Sequence, residues 1–309
     1  MTAAPVVVTV VIVTYNHARF ISAAIDGVLS QKTSFQFEIL ISEDFSTDGT
    51  REIVQKYATA YPARLRVIYS ERNVRSNEVV ARGLRLARGR YVALLDGDDL
   101  WTSQSKLQNQ VDYLDSHPKI SAVFNNALVA EGDETTSRRW TRSDQMPLLT
   151  REMIWHGNPF ATCAGMMRAA PVRNVPCWYA DFFPITDWPL YVLCAKTGDI
   201  AYIDEIVGVY RIHAGGLVSS RPDQSRLDLI ERFYRRMIAL MPCPDSTYAR
   251  GGYCRYFYDW SKQYFKNGDI PLARSSLLRC VRSGGAGLTV SRRDMLQLGL
   301  QLLKSMASR

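Results

Sequence analysis

The sequence predicts an α/β fold: a mixed, mainly parallel sheet flanked by helices, with an α-helical C-terminal extension. Three observations carry that expectation. Over the first 130 residues, apolar runs of strand length alternate with segments whose apolar residues recur at helical spacing. Three of the strand ends run into clusters of Asp, Asn, Ser, Thr and Gly. From about Gln224 onward the period is helical throughout.

Each element follows from its own residues. Val6–Thr14 is an almost unbroken β-branched run, which suits a strand buried on both faces. Ala18–Ser30 spaces Phe20, Ile21, Ala24, Ile25, Val28 and Leu29 as one helical face. Phe37–Ser42 reads as a second strand, and Asp48-Gly49-Thr50 opens a helix running to about Ala60. Leu65–Tyr69 is a third strand and Asn77–Ala87 a third helix. Tyr91–Leu95 is a fourth strand and runs directly into Asp96-Gly97-Asp98-Asp99. A helix over Ser105–Leu114 and a strand around Ala122–Ala130 follow. Residues 131–150 are polar and read as loop, and Asp199–Tyr210 returns to strand character. Arg250–Arg282 reads as a helical hairpin turning at Gly268-Asp269. The resulting division is residues 1–130, 131–223 and a basic helical segment 224–309.

Composition sets the outer bounds. Of 309 residues, 47% are apolar and 22% charged, which excludes disordered, collagen-like and coiled-coil classes. No stretch of about 18 apolar residues occurs, so no membrane-spanning helix is expected. No Lys or Arg precedes the run Val6–Val13, which therefore reads as a strand and not as a signal peptide. Six scattered cysteines without a CxxC pair point to a reducing compartment, with buried small apolar side chains as the expected role. A cytoplasmic location, peripheral on the inner face of the membrane, is the corresponding expectation. The net charge of +8 is concentrated at one end: residues 221–309 hold 16 basic and 7 acidic residues, while the first 220 balance at −1. Such a tail suits a phosphorylated substrate or an anionic membrane surface. No recognition-helix or RNA-binding signature accompanies it, so nucleic acid is not expected.

In parallel sheets, ligands sit beyond the carboxyl ends of the strands. Thr14-Tyr15-Asn16-His17, Glu43 to Asp48 and Asp96-Gly97-Asp98-Asp99 all fall at such ends. Neighbouring carboxylates repel unless a cation joins them, and oxygen donors suit Mg2+ or Mn2+. Neither G-x-G-x-x-G after the first strand nor G-x-x-x-x-G-K-[ST] occurs, which argues against nicotinamide and P-loop chemistry. Diphosphate would then be held through metal, which singles out Asp98.

Val10–Asn16 (VVIVTYN), Ile41–Thr50 (ISEDFSTDGT) and Tyr91–Thr102 (YVALLDGDDLWT) resemble family 2 inverting glycosyltransferases with the GT-A (Rossmann-like) fold. Thr186-Asp187-Trp188 and Tyr210-Arg211-Ile212-His213 extend the resemblance to about residue 220. It implies that residues 1–130 form the nucleotide-sugar-binding half and 131–223 the acceptor-binding half. It further implies that Thr14, Tyr15 and Asn16 lie against base and ribose, with Asp44 on the base and Ser46 and Asn73 beside the nucleotide. By the same resemblance Asp96 faces the ribose, Asp98 holds a Mn2+ or Mg2+ ion on the diphosphate and His213 approaches that ion. Asp187 falls at the general base. The implied donor is a UDP-sugar and the implied acceptor a glycan or lipid-linked saccharide, as in polysaccharide and cell-envelope biosynthesis.

Competing readings stay open at this level. Asp187 also suits an N-cap for the helix carrying Trp188, Leu190, Tyr191 and Leu193, and His213 a structural histidine. His17 reads as a turn residue, and His117 and His156 have no assigned role. Arg75 stands where glycine is expected, and Thr186-Asp187 where the family often has Glu-Asp, so that Asp181 is the only alternative base. A non-catalytic sugar-nucleotide-binding module and a sugar-phosphate nucleotidyltransferase are the rival functions.

Overall fold

The computed structural model describes residues 5–132, 134–218 and 221–307. They form two compact units, one of residues 1–150 with 159–220 and one of residues 151–158 with 221–309. The division at residue 130, expected between two halves of one domain, falls within the first unit. Residues 151–158, expected in the acceptor half, belong with the helices.

The first unit runs β1 (Val6–Thr14), α1 (Ile21–Leu29), β2 (Gln36–Glu43), α2 (Thr50–Ala60), β3 (Leu65–Tyr69), α3 (Glu78–Leu86) and β4 (Tyr91–Asp96). Next come β5 (Leu100–Trp101), α4 (Lys106–Ser116), β6 (Ile120–Glu131), β7 (Glu134–Arg139) and β8 (Leu148–Leu149). It ends with β9 (Gly165–Arg168), α5 (Ala170–Arg173), α6 (Trp188–Ala195) and β10 (Asp199–Ile212). The strand order is β3-β2-β1-β4-β9-β6-β10-β5, with β7 on β6 and β8 on β10. Strands β1 to β4 pair in parallel, as do β6 and β10. Only the short β9 runs antiparallel between β4 and β6. Two reversals restore the direction, so β1, β2, β4, β6 and β10 all end at one edge.

The sheet is buried on both faces, as the β-branched run in β1 requires. Val8, Val10 and Ile12 join Ile39, Ile41, Ala93 and Leu95 in a core closed by Ile21, Ala24, Ile25 and Val28 of α1. On the other face Val79, Val80 and Leu84 of α3 are buried, and Gly83 sits so close to Val11 that a Cβ there would fall 2.6 Å from Val11 Cγ1. The segment 131–150, expected as loop, contains β7, which folds back antiparallel on β6. Its residues are nearly all exposed, so no apolar alternation marks it as a strand.

The second unit contains α7 (Asp223–Leu240), α8 (Asp245–Lys266), α9 (Ile270–Arg282) and α10 (Arg292–Ala307). The α8–α9 turn is at Gly268, whose φ of 81° is left-handed, as its sequence position predicted. Residues 151–158 are held here by Arg151, paired through two 2.7 Å hydrogen bonds with buried Asp245, and by buried Trp155, whose carbonyl accepts the Tyr234 hydroxyl. All six cysteines are free, and Cys177 and Cys243 are exposed, contrary to the expectation that all are buried.

One buried side chain links α3 to the segment leading into α6. The Asn77 amide donates to the carbonyls of Tyr179 (3.1 Å) and Ile185 (2.8 Å), and the Tyr179 hydroxyl donates to Thr186 O. Removing that amide leaves two carbonyls short of a donor, a loss of about 1–3 kcal/mol. Asn77→Ala is therefore expected to unfold at lower denaturant with an unchanged m-value. An unaltered midpoint in urea would show that the tether carries no load.

Candidate active site

Three loops meet at the carboxyl edge of the sheet. After β1, Asn16 adopts a left-handed φ of 56°; its N–H donates to Ser46 Oγ (3.0 Å), and its Oδ1 accepts from Thr47 N–H (2.8 Å). Asp48 ties the same loops again: Oδ2 accepts from Ala18 N–H (2.9 Å), while Oδ1 accepts the Thr50 N–H and hydroxyl at the start of α2. Asn and Asp tolerate such turns because their short side chains bond nearby backbone. Tyr15 is left exposed at the loop tip, whereas the Thr14 side chain is fully buried.

Asp44, beyond β2, is buried and accepts hydrogen bonds from Ser70 Oγ (2.9 Å) and Val74 N–H (3.1 Å). Burial outweighs those bonds and raises its pKa above the ordinary carboxylate value. Asn73 Oδ1 accepts from the N–H of Arg75, itself left-handed at φ 46°, so the loop 73–76 curls around Asp44. Arg75 is exposed where the sequence led one to expect glycine.

The acidic turn after β4 is the most strongly charged part of the edge. Gly97 N–H donates to Val13 O and Asp99 N–H to Asp96 O, so the turn is pinned on β1. A Cβ at Gly97 would fall 2.7 Å from Thr14 Oγ1 and 2.9 Å from His17 Nδ1, which explains glycine between the two aspartates. Those two atoms are buried without a hydrogen-bond partner, so the small residue is cradled by polar groups. His213, directly after β10, brings Nε2 to 2.9 Å from Asp98 Oδ2, and His17 Nε2 lies 3.6 Å from the same oxygen. Arg211 braces the turn from below: its N–H donates to Asp99 Oδ1 (2.8 Å) and its guanidinium to Asp98 O (2.6 Å), stacked over Phe20.

The environment separates the three carboxyls. Burial, then the charges of Asp98 and Asp187, push Asp96 up to about 8. Burial, then the charges of Asp98 and Asp96, hold Asp99 well above the usual range. Burial would raise Asp98 too, but the His213 hydrogen bond and the charges of His17 and His213 bring it below the ordinary value. Asp98 is thus the ionised member. One ionised carboxylate facing one imidazole is a donor set that fits Mn2+ or Mg2+ at a diphosphate, where phosphate and water oxygens complete the shell. Among the described residues no group of three or more His, Cys, Asp or Glu is arranged as a closed metal cage.

Asp187 caps α6, its Oδ1 accepting from Trp188 N–H (2.7 Å), and Thr162 Oγ1 lies 3.4 Å from Oδ2. The cap reading is therefore correct, and it does not remove Asp187 from the site: its charge acts on Asp96 and on the buried Tyr179 and Tyr191. Asp181 is exposed. Two residues at this edge went unassigned in the sequence, His17 and Arg211. His17 sits three residues after the end of β1, and Arg211 acts on a turn more than 110 residues away; neither spacing is a local signal. The concavities lined by Arg90, Tyr91 and Asp115 and by Pro118, Ser121 and Thr197 open at the opposite edge and gather no such chemistry.

The model of the family described as glycosyl transferase family 2 matches residues 9–173, more than half of the chain. The chain belongs to glycosyl transferase family 2. The match spans the loops bearing Asn16, Asp44 and the acidic turn but ends before Asp187 and His213, which this family 2 chain adds by geometry. It is 35% identical over 215 residues to an uncharacterized protein of Mycobacterium tuberculosis, covering 68% of this chain and 60% of that one. It therefore spans about three fifths of the length of that relative. A 28% identity over 217 residues links it to an Escherichia coli UDP-Glc:alpha-D-GlcNAc-diphosphoundecaprenol beta-1,3-glucosyltransferase, WfaP, covering 69% of this chain and 80% of that one. Residues 1–349 of S. aureus TarS, solved with UDP-GlcNAc, superpose with a TM-score of 0.64 at 17% identity, covering 90% of this chain and 81% of that one. The mannosyltransferase PcManGT of Pyrobaculum calidifontis, solved with GDP-Man and Mn2+, gives 0.58 at 18%, covering 99% and 87%. Both share the fold of this family 2 chain.

The raised pKa of Asp96 has a sign that can be tested. Its folded value of about 8 stands above the unfolded value of 3.8, so the ligand-free fold loses stability from this group as pH rises between them. Asp96→Asn removes the repulsion from Asp98 and Asp187. The variant is expected to melt higher than wild type above pH 8, by about 2–4 °C for each kcal/mol relieved. Near the unfolded value the two should converge. A melting difference that stays constant across the pH range would contradict this account.

Proposed function

We propose that the chain is an inverting glycosyltransferase that moves a sugar from a UDP-sugar to a hydroxyl of a glycan or lipid-linked saccharide. The observation that carries the reading is the acidic turn, where one ionised aspartate, Asp98, meets His213 beside two carboxyls of raised pKa. The nucleotide-sugar and metal in the TarS and PcManGT structures and the UDP-Glc named for WfaP support the donor class. The diphosphoundecaprenol-linked substrate in the name of WfaP supports a lipid-linked acceptor and a role in building envelope polysaccharide.

In this reading Tyr15, Asn16, Asp44, Ser46 and Asn73 receive base and ribose, and Thr14 shapes the loop from beneath. Asp96 faces the ribose. Asp98 and His213 hold Mn2+ or Mg2+, which when bound stabilises the charge of the leaving diphosphate. Asp187 takes the proton from the acceptor hydroxyl as that oxygen attacks the anomeric carbon opposite the diphosphate. Displacement is then single-step and inverts the anomeric configuration. Asp187 is partly buried and close enough to Asp96 for its charge to act there, which puts a carboxylate at the edge where the acceptor hydroxyl would be deprotonated. Peripheral membrane contact through the basic helices completes the picture.

A panel of nucleotide sugars, with and without Mn2+, scored for nucleoside diphosphate release, tests the assignment. Release is expected for a UDP-sugar and should vanish with EDTA. Asp187→Asn should cut turnover by about 100-fold or more, in line with loss of a general base, while UDP affinity stays within about twofold of wild type on the ~0.4 kcal/mol scale that twofold represents. Pyrophosphate as product, or full turnover in Asp187→Asn, would sink the proposal.

A further inference from the structure

The helical unit carries an apolar face that its own core does not use. Leu277 of α9 lies 3.7 Å from the position a Cβ on Gly299 of α10 would take, and Cys280 Sγ lies 3.3 Å from Met295 Sδ. The partner number rises as the residue number falls, so α9 and α10 are antiparallel. At about 100° per residue, Ala273, Ser276 and Cys280 lie on one side of Leu277, and Met295, Leu298 and Leu302 lie on the same side of Gly299. All six are buried. Leu278 and Val281 fall about 100° and 40° to the other side on α9, and Leu296, Leu300 and Leu303 about 60°, 100° and 40° on α10. In an antiparallel pair those two arcs share one face. Its five apolar side chains are 52%, 57%, 69%, 58% and 61% exposed.

Charge says what covers that face. Arg274 and Arg282 on α9 and Arg292 and Arg293 on α10 are exposed around it, and Asp294 is the acidic residue among them, already bonded to Ser291. The buried Arg279 is different, since it is paired with Asp228 and Glu231 on α7. A second copy of the chain docking here would set arginine against arginine. An anionic lipid surface instead offers acyl chains to the leucines and phosphates to the guanidinium groups.

We infer that Leu278, Val281, Leu296, Leu300 and Leu303, rimmed by four arginines, form a face that adsorbs to anionic bilayers. It deepens the membrane contact proposed above by assigning it to one surface. No helix among the described residues is long and apolar enough to cross a membrane, so the attachment is at the lipid surface.

Co-sedimentation of the full chain with vesicles of phosphatidylcholine alone, or mixed with phosphatidylglycerol, tests this. Wild type should favour the mixed vesicles by about tenfold or more and lose that preference in high salt. The triple variant Leu296→Ser, Leu300→Ser, Leu303→Ser should bind the mixed vesicles about tenfold less, and Arg292→Gln with Arg293→Gln should lose the lipid preference. These exposed sites leave the core intact, so melting temperature and UDP affinity should match wild type. Undiminished adsorption of the triple variant, or its conversion of a dimer to a monomer in light scattering, would overturn the inference. Failure of UDP binding in wild type while adsorption persists would instead overturn the donor assignment and leave this face standing.

Discussion

Crowded carboxyls at the end of β4 are the constraint around which the sheet edge is arranged. Three aspartates in four residues, with Asp187 near enough to act on the first of them, cannot all be ionised at low cost. The fold distributes the charge unevenly. Asp98 alone receives imidazole partners, from His213 and His17, while Asp99 is bonded to a backbone N–H at Arg211. On the function proposed above, a cation and a diphosphate would complete this arrangement. Gly97 is the small residue that lets Thr14 and His17 close in on the turn.

The rest of the edge is built to keep that turn in register with its neighbours. Asn16 and Asp48 bind the loops after β1 and β2 to each other through side-chain to backbone bonds. Asp44 draws in Ser70 and the loop at Val74, and Arg82 reaches Ser42, Ser70 and the Glu43 carbonyl. Asn77 then fixes the segment that leads to Asp187. Most of these bonds end on backbone, so they order loops without depending on any bound molecule.

The helical unit shows a different division of labour. Its α9–α10 hairpin has two apolar sides, one consumed by the core and one left exposed among arginines. Hydrophobic periodicity alone does not separate them, because both sides carry leucines at helical spacing.

What the sequence determined by itself was local. The β-branched run of β1, the apolar spacing of α1 and the turn residues at strand ends specified elements through patterns contained in short stretches of chain, although the ladder partners of β1 lie far along it in β2 and β4. The acidic turn was legible because its residues are adjacent. Three-dimensional packing decided the rest. β7 is exposed and lacks alternation, β9 is four residues long, and residues 151–158 owe their place to Asp245 and Tyr234, far along the chain. His17 gained meaning only when β1 paired in parallel with β4, and Arg211 only when the antiparallel β9 let β6 and β10 end at the same edge as β4. Propensity and pattern act between neighbours in sequence. Which histidine meets which aspartate, and which leucines stay outside, depends on strand order and helix direction, and those are properties of the assembled chain.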